Sequence, residues 1–97
     1  MAIKTTPYNP FDYLESKDEI NEYLNNAFMD DDPRVFIIAL GHLARKKGMA
    51  QVARETGLNR ESLYKSLSGE GNPAFATIKK ITKVLGIHLM TQPAQTH

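Results

Sequence analysis

Cysteine is absent from this chain of 97 residues, and so is any long apolar run. Without cysteine, the chain has no disulfide framework and no thiolate that acts as a nucleophile or a metal ligand. No segment approaches the roughly 20 apolar residues that a membrane-spanning helix needs. The opening residues, MAIKTTPYNPFDY, also lack the apolar core of a signal peptide. We therefore expect a cytoplasmic protein with no membrane association that folds as one small domain.

Residues that carry catalysis or bind metals are also few. The three histidines are His42, His88 and His97, and none has a partner at the spacing of a metal site or an activated nucleophile. The aspartates at 30–32 lack the spaced oxygen ligands of an EF-hand loop. We therefore expect no enzyme activity, no bound metal and no cofactor.

The net charge of +1 conceals two regions of opposite sign. Residues 1–32 contain two Lys and eight Asp or Glu, a net charge of −6. Residues 33–97 contain ten Lys or Arg and three Glu, a net charge of +7. A basic body favours a polyanion such as DNA. The acidic arm favours a basic partner protein or packing on the body, and an ordinary solvated face is the third alternative.

Capping residues and apolar spacing predict an all-α fold. Ser16 and Glu19 have the S-x-x-E spacing of a capping box, and an amphipathic pattern follows them. Asp32 is placed to cap a second helix that Pro33 opens. The same reasoning predicts helices over 17–29, 33–47, 49–56, 60–68 and 73–85.

The last helix is predicted from a capping residue, an opening proline and apolar spacing. Asn72 is predicted to cap it and Pro73 to open it. Its inward residues would be Phe75, Ile78, Ile81 and Leu85. Residues 87–90 are either a short strand or a packed tail. The chain then divides into an acidic arm with an amphipathic helix over 1–32, a helical domain over 33–90 and a frayed tail over 91–97.

Residues 49–67, MAQVARETGLNRESLYKSL, have the pattern of a helix-turn-helix. Gly57 stands where the chain must turn, and Asn59 can cap the second helix. Leu63 and Leu67 lie on one face of that helix and leave its polar residues outward. A short helix with a donor-rich outer face fits the DNA major groove, so the pattern favours a DNA-binding regulator.

The outward residues suggest individual roles. Arg60 and Lys65 offer donors that suit guanine O6 and N7. Glu61 either accepts from a cytosine amino group or stabilises the start of its helix. Tyr64 either contacts a sugar or a thymine methyl group, or packs against the following loop.

The loop after this helix supplies further candidates. Ser68 and Asn72 are placed to meet phosphates, which position a protein on DNA without reading its sequence. Ser62 is the third residue after Asn59 and is expected to complete the cap.

Residues 33–86 resemble the phage-repressor/Cro-type helix-turn-helix fold. More narrowly, GLNRESLYKSLSGEGNPAFATIKKITKVLG and the opening TTPYNPFDYLESKDEINEYL resemble the addiction-module antidote group of that superfamily. The stretch LYKSLSGEGNP is the most specific part. The resemblance covers nearly the whole chain and implies an antitoxin of a type II toxin–antitoxin pair, which binds a RelE/ParE-like toxin and represses their shared operon as a homodimer.

The resemblance also implies positions that meet double-stranded DNA. In the broader superfamily, glutamine is common at the start of the motif's first helix, where this chain has Met49 and has Gln51 two residues later. The candidate DNA-binding residues are Gln51, Asn59, Arg60, Glu61, Ser62, Tyr64, Lys65, Ser68 and Asn72.

A toxin would meet the acidic arm. Its apolar side chains, Tyr8, Phe11, Tyr13 and Leu14, are the candidate partner-binding residues, because aromatic anchors dominate many interfaces. The alternative is that they pack on the chain's own amphipathic helix. The competing function is a stand-alone repressor with no toxin partner, and a small open reading frame next to this gene would distinguish the two.

Overall fold

Five α-helices and one 3₁₀ turn form the regular structure of residues 9–94, the part of the chain that this computed structural model describes. The 3₁₀ turn spans Pro10–Asp12, and the helices are α1 (Lys17–Met29), α2 (Pro33–Lys47), α3 (Met49–Thr56), α4 (Arg60–Ser66) and α5 (Phe75–Val84). These described residues contain no strand, in keeping with the predicted all-α class. None of the described helices is both long and apolar enough to span a bilayer.

The first two helices begin where the capping residues predict. The hydroxyl of Ser16 accepts from the backbone N–H of Glu19 at 3.1 Å, and the carboxylate of Glu19 accepts from the backbone N–H of Ser16 at 3.2 Å. The carboxylate of Asp32 accepts from the backbone N–H of Arg34 at 2.9 Å, with Pro33 in the first turn of α2. Each cap satisfies N–H groups that have no partner inside the helix.

Helix α2 is the centre of the fold. It packs against the 3₁₀ turn, α1 and α3, and α3 in turn packs against α4 and α5. Leu40 and Ala44 of α2 are fully buried. At Gly41, an added Cβ would lie 3.0 Å from the carbonyl oxygen of Leu67, so the missing side chain lets the end of α4 approach α2 closely.

The arm ahead of α1 packs on the body. Phe11 is fully buried, and its ring meets the edge of Tyr23 with centroids 5.1 Å apart. The amide of Asn9 donates to the backbone carbonyl of His42 at 2.8 Å and its oxygen accepts from the backbone N–H of Phe11 at 3.0 Å. Lys46 lies 3.3 Å from the carboxylate of Asp12. The sequence left three alternatives for the acidic arm, and for residues 9–12 the structure shows the one in which the arm packs on the body.

The start of α5 differs from the prediction. Ala74, not Asn72, is the N-cap residue, and no side chain caps the helix. Ala74 has extended backbone angles, φ −64° and ψ 148°, so the helix begins only at Phe75. Phe75 is 69% exposed rather than inward, because it stands at the very first position of the helix, beyond the buried Ile78.

The end of α5 and the tail complete the fold. The backbone N–H groups of Gly86 and Ile87 donate to the carbonyls of Lys83 and Thr82, at 3.1 and 2.9 Å, which is a Schellman motif. The described residues after Gly86 have no regular secondary structure, and Ile87 packs against the core. Residues 87–90 therefore form a packed tail and not a strand. A strand needs a second strand to pair with, and the described residues contain none.

Candidate functional site

The turn between α3 and α4 is fixed by local hydrogen bonds. Gly57 has φ +79°, a left-handed conformation that glycine adopts without strain. The hydroxyl of Thr56 donates to the carbonyl of Val52 at 2.8 Å and accepts from the backbone N–H of Leu58 at 3.3 Å. The side-chain oxygen of Asn59 accepts from the backbone N–H of Ser62 at 2.7 Å and so caps α4, as predicted. These bonds set the direction in which α4 leaves the turn.

Helix α4 buries one side and exposes the other. Leu63 and Leu67 are buried in the core, with Leu67 standing just past the helix, which ends at Ser66 rather than at the predicted residue 68. We call the outward residues Arg60, Glu61, Tyr64 and Lys65 the α4 front, and all four are exposed. The other five DNA-binding candidates, Gln51, Asn59, Ser62, Ser68 and Asn72, are exposed as well.

The charged groups of the α4 front are available to a ligand. Within residues 9–94, neither Arg60 nor Lys65 has an ion-pair partner, and the same holds for Glu61. Tyr64 is 40% exposed, so its ring reaches solvent and does not pack fully against the loop. The α4 front therefore presents two cations, one carboxylate and one phenol on a single short helix.

Two other candidates already have partners inside the chain. The amide nitrogen of Gln51 donates to the carboxylate of Glu55 at 2.7 Å, one helical turn along α3. The hydroxyl of Ser68 donates to the carbonyl of Lys65 at 2.9 Å and accepts from the backbone N–H of Glu70 at 3.2 Å. A phosphate contact by Gln51 would have to share or replace its bond to Glu55.

Asn72 has different surroundings from the α4 front. It lines a pocket of about 360 Å³ together with Phe28, Asp30 and Asp31, which belong to α1 and the turn after it. Two carboxylates beside Asn72 disfavour an approaching phosphate because the charges repel. The prediction that Asn72 caps α5 is wrong. Its predicted phosphate contact stays a prediction, and the nearby carboxylates disfavour that contact.

The partner-binding candidates do not share one exposed surface. Phe11 is buried in the core, so its side chain cannot act as an anchor on the surface of this structure, and Leu14 is partly buried against the core. Tyr13 is 69% exposed. Tyr8 lies outside the described residues. Among the described candidates, Tyr13 alone offers most of its side chain to a partner.

The pKa values of Asp32 and His42 are both lowered by their surroundings. The Arg34 guanidinium, which donates to the Asp32 carboxylate at 2.8 Å, lowers the pKa of Asp32. Partial burial lowers the pKa of His42, and the nearby charge of Arg45 lowers it further. Among residues 9–94, no three or more His, Asp or Glu side chains are grouped so that they could hold a metal ion.

Comparison with known proteins defines the family. Residues 4–93 match the family described as "Probable addiction module antidote protein". The chain belongs to this family. It is also 43% identical over 95 residues to an uncharacterized protein of Haemophilus influenzae, with 98% of each chain covered. No solved structure matches the chain. Membership of an antidote family implies a partner toxin in general.

The end of α1 has an exposed apolar surface that the sequence does not predict. The i, i+3, i+4 apolar spacing that starts at Ile20 predicts that Phe28 faces inward, yet Phe28 is 57% exposed and Met29 beside it is 71% exposed. The ring of Phe28 meets the ring of Phe36 edge-on, with centroids 5.0 Å apart. A signal was present in the sequence, because three consecutive aspartates follow Met29 and keep this end of α1 in water.

Proposed function

We propose that this protein is the antitoxin of a type II toxin–antitoxin module. In this proposal it neutralises a RelE/ParE-like toxin in the cytoplasm and, as a homodimer, represses its own operon by sequence-specific DNA binding. Membership of the antidote family supports the toxin partner. The observation that carries the DNA-binding part is the α4 front, an exposed set of donors on a capped helix whose cations have no ion pair among residues 9–94.

In the proposed complex, α3 and α4 act as a helix-turn-helix. The major groove is about 12 Å wide and a helix with its side chains is about 10–12 Å in diameter, so α4 can lie in the groove with its front toward the bases. Arg60 and Lys65 donate to guanine, and Glu61 accepts from a cytosine amino group. Because Leu63 is fully buried, rotation of α4 about its own axis would expose it to water, and this cost holds the α4 front outward.

Phosphate contacts would fix the position of α4 on the duplex. Asn59 and Ser62 are exposed at the start of α4 and Ser68 is exposed after its last turn, so all three are placed to meet phosphates. The cations at the end of α2, Arg45 and Lys46, are exposed and add to the field that attracts DNA. These contacts contribute affinity, whereas the α4 front contributes specificity.

The toxin would meet the acidic region instead. Residues 1–32 carry a net charge of −6, which would attract a basic toxin, and Tyr13 supplies an exposed aromatic ring there. The proposed separation of the two partners follows from charge, because the region that attracts a basic protein repels DNA.

The DNA-binding part is tested with the DNA upstream of this gene. We expect Arg60→Ala or Lys65→Ala to lose about 1–3 kcal/mol of binding free energy on the cognate site and to discriminate less against scrambled DNA. Fluorescence anisotropy measures both affinities. Lys17→Ala is the control, because it removes the same charge from an exposed position on α1. Wild-type affinity and preference in both α4 variants would exclude the α4 front as the reading surface.

The toxin-binding part is tested by co-expression with the adjacent small open reading frame. We expect the two products to elute together from a size-exclusion column in a fixed ratio. If they do not, while the protein still binds its upstream DNA, the protein is the stand-alone repressor and the arm has a structural role.

A further inference from the structure

The end of α1 forms a pocket with an apolar floor and an acidic edge. The pocket has a volume of about 360 Å³ and lies between the α1–α2 turn and the loop before α5. Phe28, Phe36 and Ile37 supply aromatic and aliphatic surface, and Asp30 and Asp31 supply carboxylates. We call this the α1 pocket. A purely apolar ligand would match only the apolar surface, and a small hydrated cation would match only the carboxylates. A ligand that matches the whole pocket therefore has both an apolar part and a positive charge.

The carboxylates of the α1 pocket are not neutralised by the chain itself. The one cation in its lining, Arg34, forms an ion pair with Asp32 at 2.8 Å and donates to both oxygens of that carboxylate. Neither Asp30 nor Asp31 has an ion-pair partner among residues 9–94. The oxygen of Asp30 accepts one backbone N–H, that of Asp32, at 2.8 Å. Two negative charges therefore remain at the edge of the pocket.

A lysine or arginine side chain matches both parts of this lining. Its methylene stem packs along apolar surface while its charged end reaches toward polar groups, as such side chains do elsewhere. A cation over the face of an aromatic ring gains further electrostatic stabilisation, and arginine does so more often than lysine. The two carboxylates repel a phosphate, which makes DNA the less favourable ligand of this pocket.

We propose that the α1 pocket binds a lysine or arginine side chain of the partner toxin, with the stem against Phe28 and Phe36 and the cation at Asp30 and Asp31. This inference rests on the proposed antitoxin function and adds a surface to it. Helix α1 has 13 residues and is about 20 Å long, so this surface lies one helix length from Tyr13, which stands ahead of its other end.

The apolar surface continues beyond the pocket. Phe28 and Phe36 also line a second hollow of about 420 Å³, where the tail contributes Leu89 and Met90. Met90 is 85% exposed. The acidic edge is confined to the first hollow, because the lining of the second contains no Asp or Glu. Of these two hollows, the α1 pocket therefore offers the site for a cation, and the second hollow offers adjoining apolar surface that a basic partner would bury.

The charge part is tested with the double variant Asp30→Asn/Asp31→Asn. Asparagine keeps an oxygen that accepts from the N–H of Asp32, so the turn is retained while the charge is lost. The probe is the purified product of the adjacent small open reading frame, and calorimetry measures Kd for the full-length chain. We expect Kd to rise about tenfold or more, and its salt dependence to become weaker, because an enclosed charge pair is lost.

The matched control is Glu15→Gln/Glu22→Gln. It removes the same two charges from exposed positions of the acidic region that lie outside the pocket, so it measures the general attraction of that region without the pocket. We expect a change of about twofold or less, because isolated surface charges contribute little. Both double variants should bind upstream DNA as the wild type does, which shows that they are folded.

The apolar part is tested with Phe28→Ala and Phe28→Leu. We expect the alanine variant to weaken toxin binding about tenfold and the leucine variant to recover part of that loss, since leucine restores apolar area. Phe75→Ala is the control, because Phe75 is similarly exposed but lies outside the pocket. Thermal melting of each variant separates a loss of binding from a loss of folding.

The outcomes separate this inference from the proposed function. Tight toxin binding by the wild type and equally tight binding by Asp30→Asn/Asp31→Asn would overturn the pocket assignment and leave the antitoxin function intact. No binding by the wild type would overturn both. A change in the self-association of the Asp30→Asn/Asp31→Asn variant, measured by analytical ultracentrifugation, with unchanged toxin binding would assign the pocket to a second copy of the chain and overturn the inference.

Discussion

The α4 front and the end of α1 are both exposed parts of short, capped helices, but they offer opposite chemistry. The α4 front carries Arg60 and Lys65 without ion-pair partners among residues 9–94, and its apolar residues Leu63 and Leu67 are buried. The end of α1 exposes Phe28 and adjoins Asp30 and Asp31, whose carboxylates have no ion-pair partner within the described residues. One surface suits a polyanion read by hydrogen bonds, and the other suits a basic protein that also covers apolar area. A chain of this size can thus offer two partners separate surfaces.

The two surfaces also depend on the core in different ways. Helix α1 packs on α2, together with the 3₁₀ turn that precedes it, whereas α4 packs on α3. A change that loosens the arm should therefore affect the α1 side more than the α4 side.

Phe11→Ala should have the largest effect on stability. Phe11 is fully buried and packs on Tyr23, so its truncation leaves a cavity between the arm and α1. We expect the free energy of unfolding to fall by about 3–5 kcal/mol, as measured by urea denaturation. Phe75→Ala is the control, because Phe75 is the same residue type but is 69% exposed, and its loss should cost within about 0.5 kcal/mol. Equal losses in both variants would mean that the arm is not anchored through Phe11.

Asn59→Ala should have an intermediate effect, and it sharpens the role of the cap on α4. The oxygen of Asn59 accepts from the N–H of Ser62, and its removal should cost about 1 kcal/mol of stability. Asn72→Ala is the matched control, because Asn72 has the same side chain but caps no helix. Urea denaturation should show less than about 0.5 kcal/mol for it. A loss in Asn72→Ala as large as in Asn59→Ala would contradict the observed start of α5.

The smallest expected effect is the contribution of His42 to the pH dependence of the free energy of unfolding. Partial burial lowers the pKa of His42 below its usual 6.5, so the unfolded chain binds a proton at higher pH than the folded chain does. As pH falls from 6.5 to the lowered pKa, the free energy of unfolding should therefore decrease, and above 6.5 this histidine should have no effect.

The neutral variant His42→Gln isolates that contribution. It should lose the part of the pH dependence that lies between 6.5 and the lowered pKa, as seen in urea denaturation at several pH values. The His42 ring also sits near Arg45, whose charge acts in the same direction. An unchanged pH profile in His42→Gln would show that burial does not disfavour the charged ring.

Local hydrogen-bonding chemistry explains why several helix ends could be predicted. Ser16, Asp32 and Asn59 each bond to an N–H within three residues, so the signal lies in adjacent sequence. The start of α5 could not be found in this way, because the N-P dipeptide at 72–73 also suits a loop. There the extended backbone of Ala74 delays the helix.

Exposure and close packing were harder to predict, since both depend on residues far apart in the chain. The apolar spacing of α1 places Phe28 on the inward stripe, but it does not show where the core ends. Gly41 stands in the middle of a helical pattern, and its reason, the approach of Leu67, comes from a residue 26 positions later. The α1 pocket depends on such distant neighbours too, and no contiguous motif encodes it.

The bond from Asn9 to position 42 has a consequence for how the sequence can change over generations. The amide donates to the backbone carbonyl of His42 and not to its ring, so every residue type at position 42 offers the same acceptor. Relatives can therefore exchange this histidine without releasing the arm. Position 9 tolerates fewer residue types, because both atoms of the Asn9 amide are used. Aspartate would keep the oxygen that accepts from the N–H of Phe11 but would lose the N–H that donates to the carbonyl of residue 42. Among related sequences, we therefore expect the amide at position 9 to vary less than the histidine at position 42.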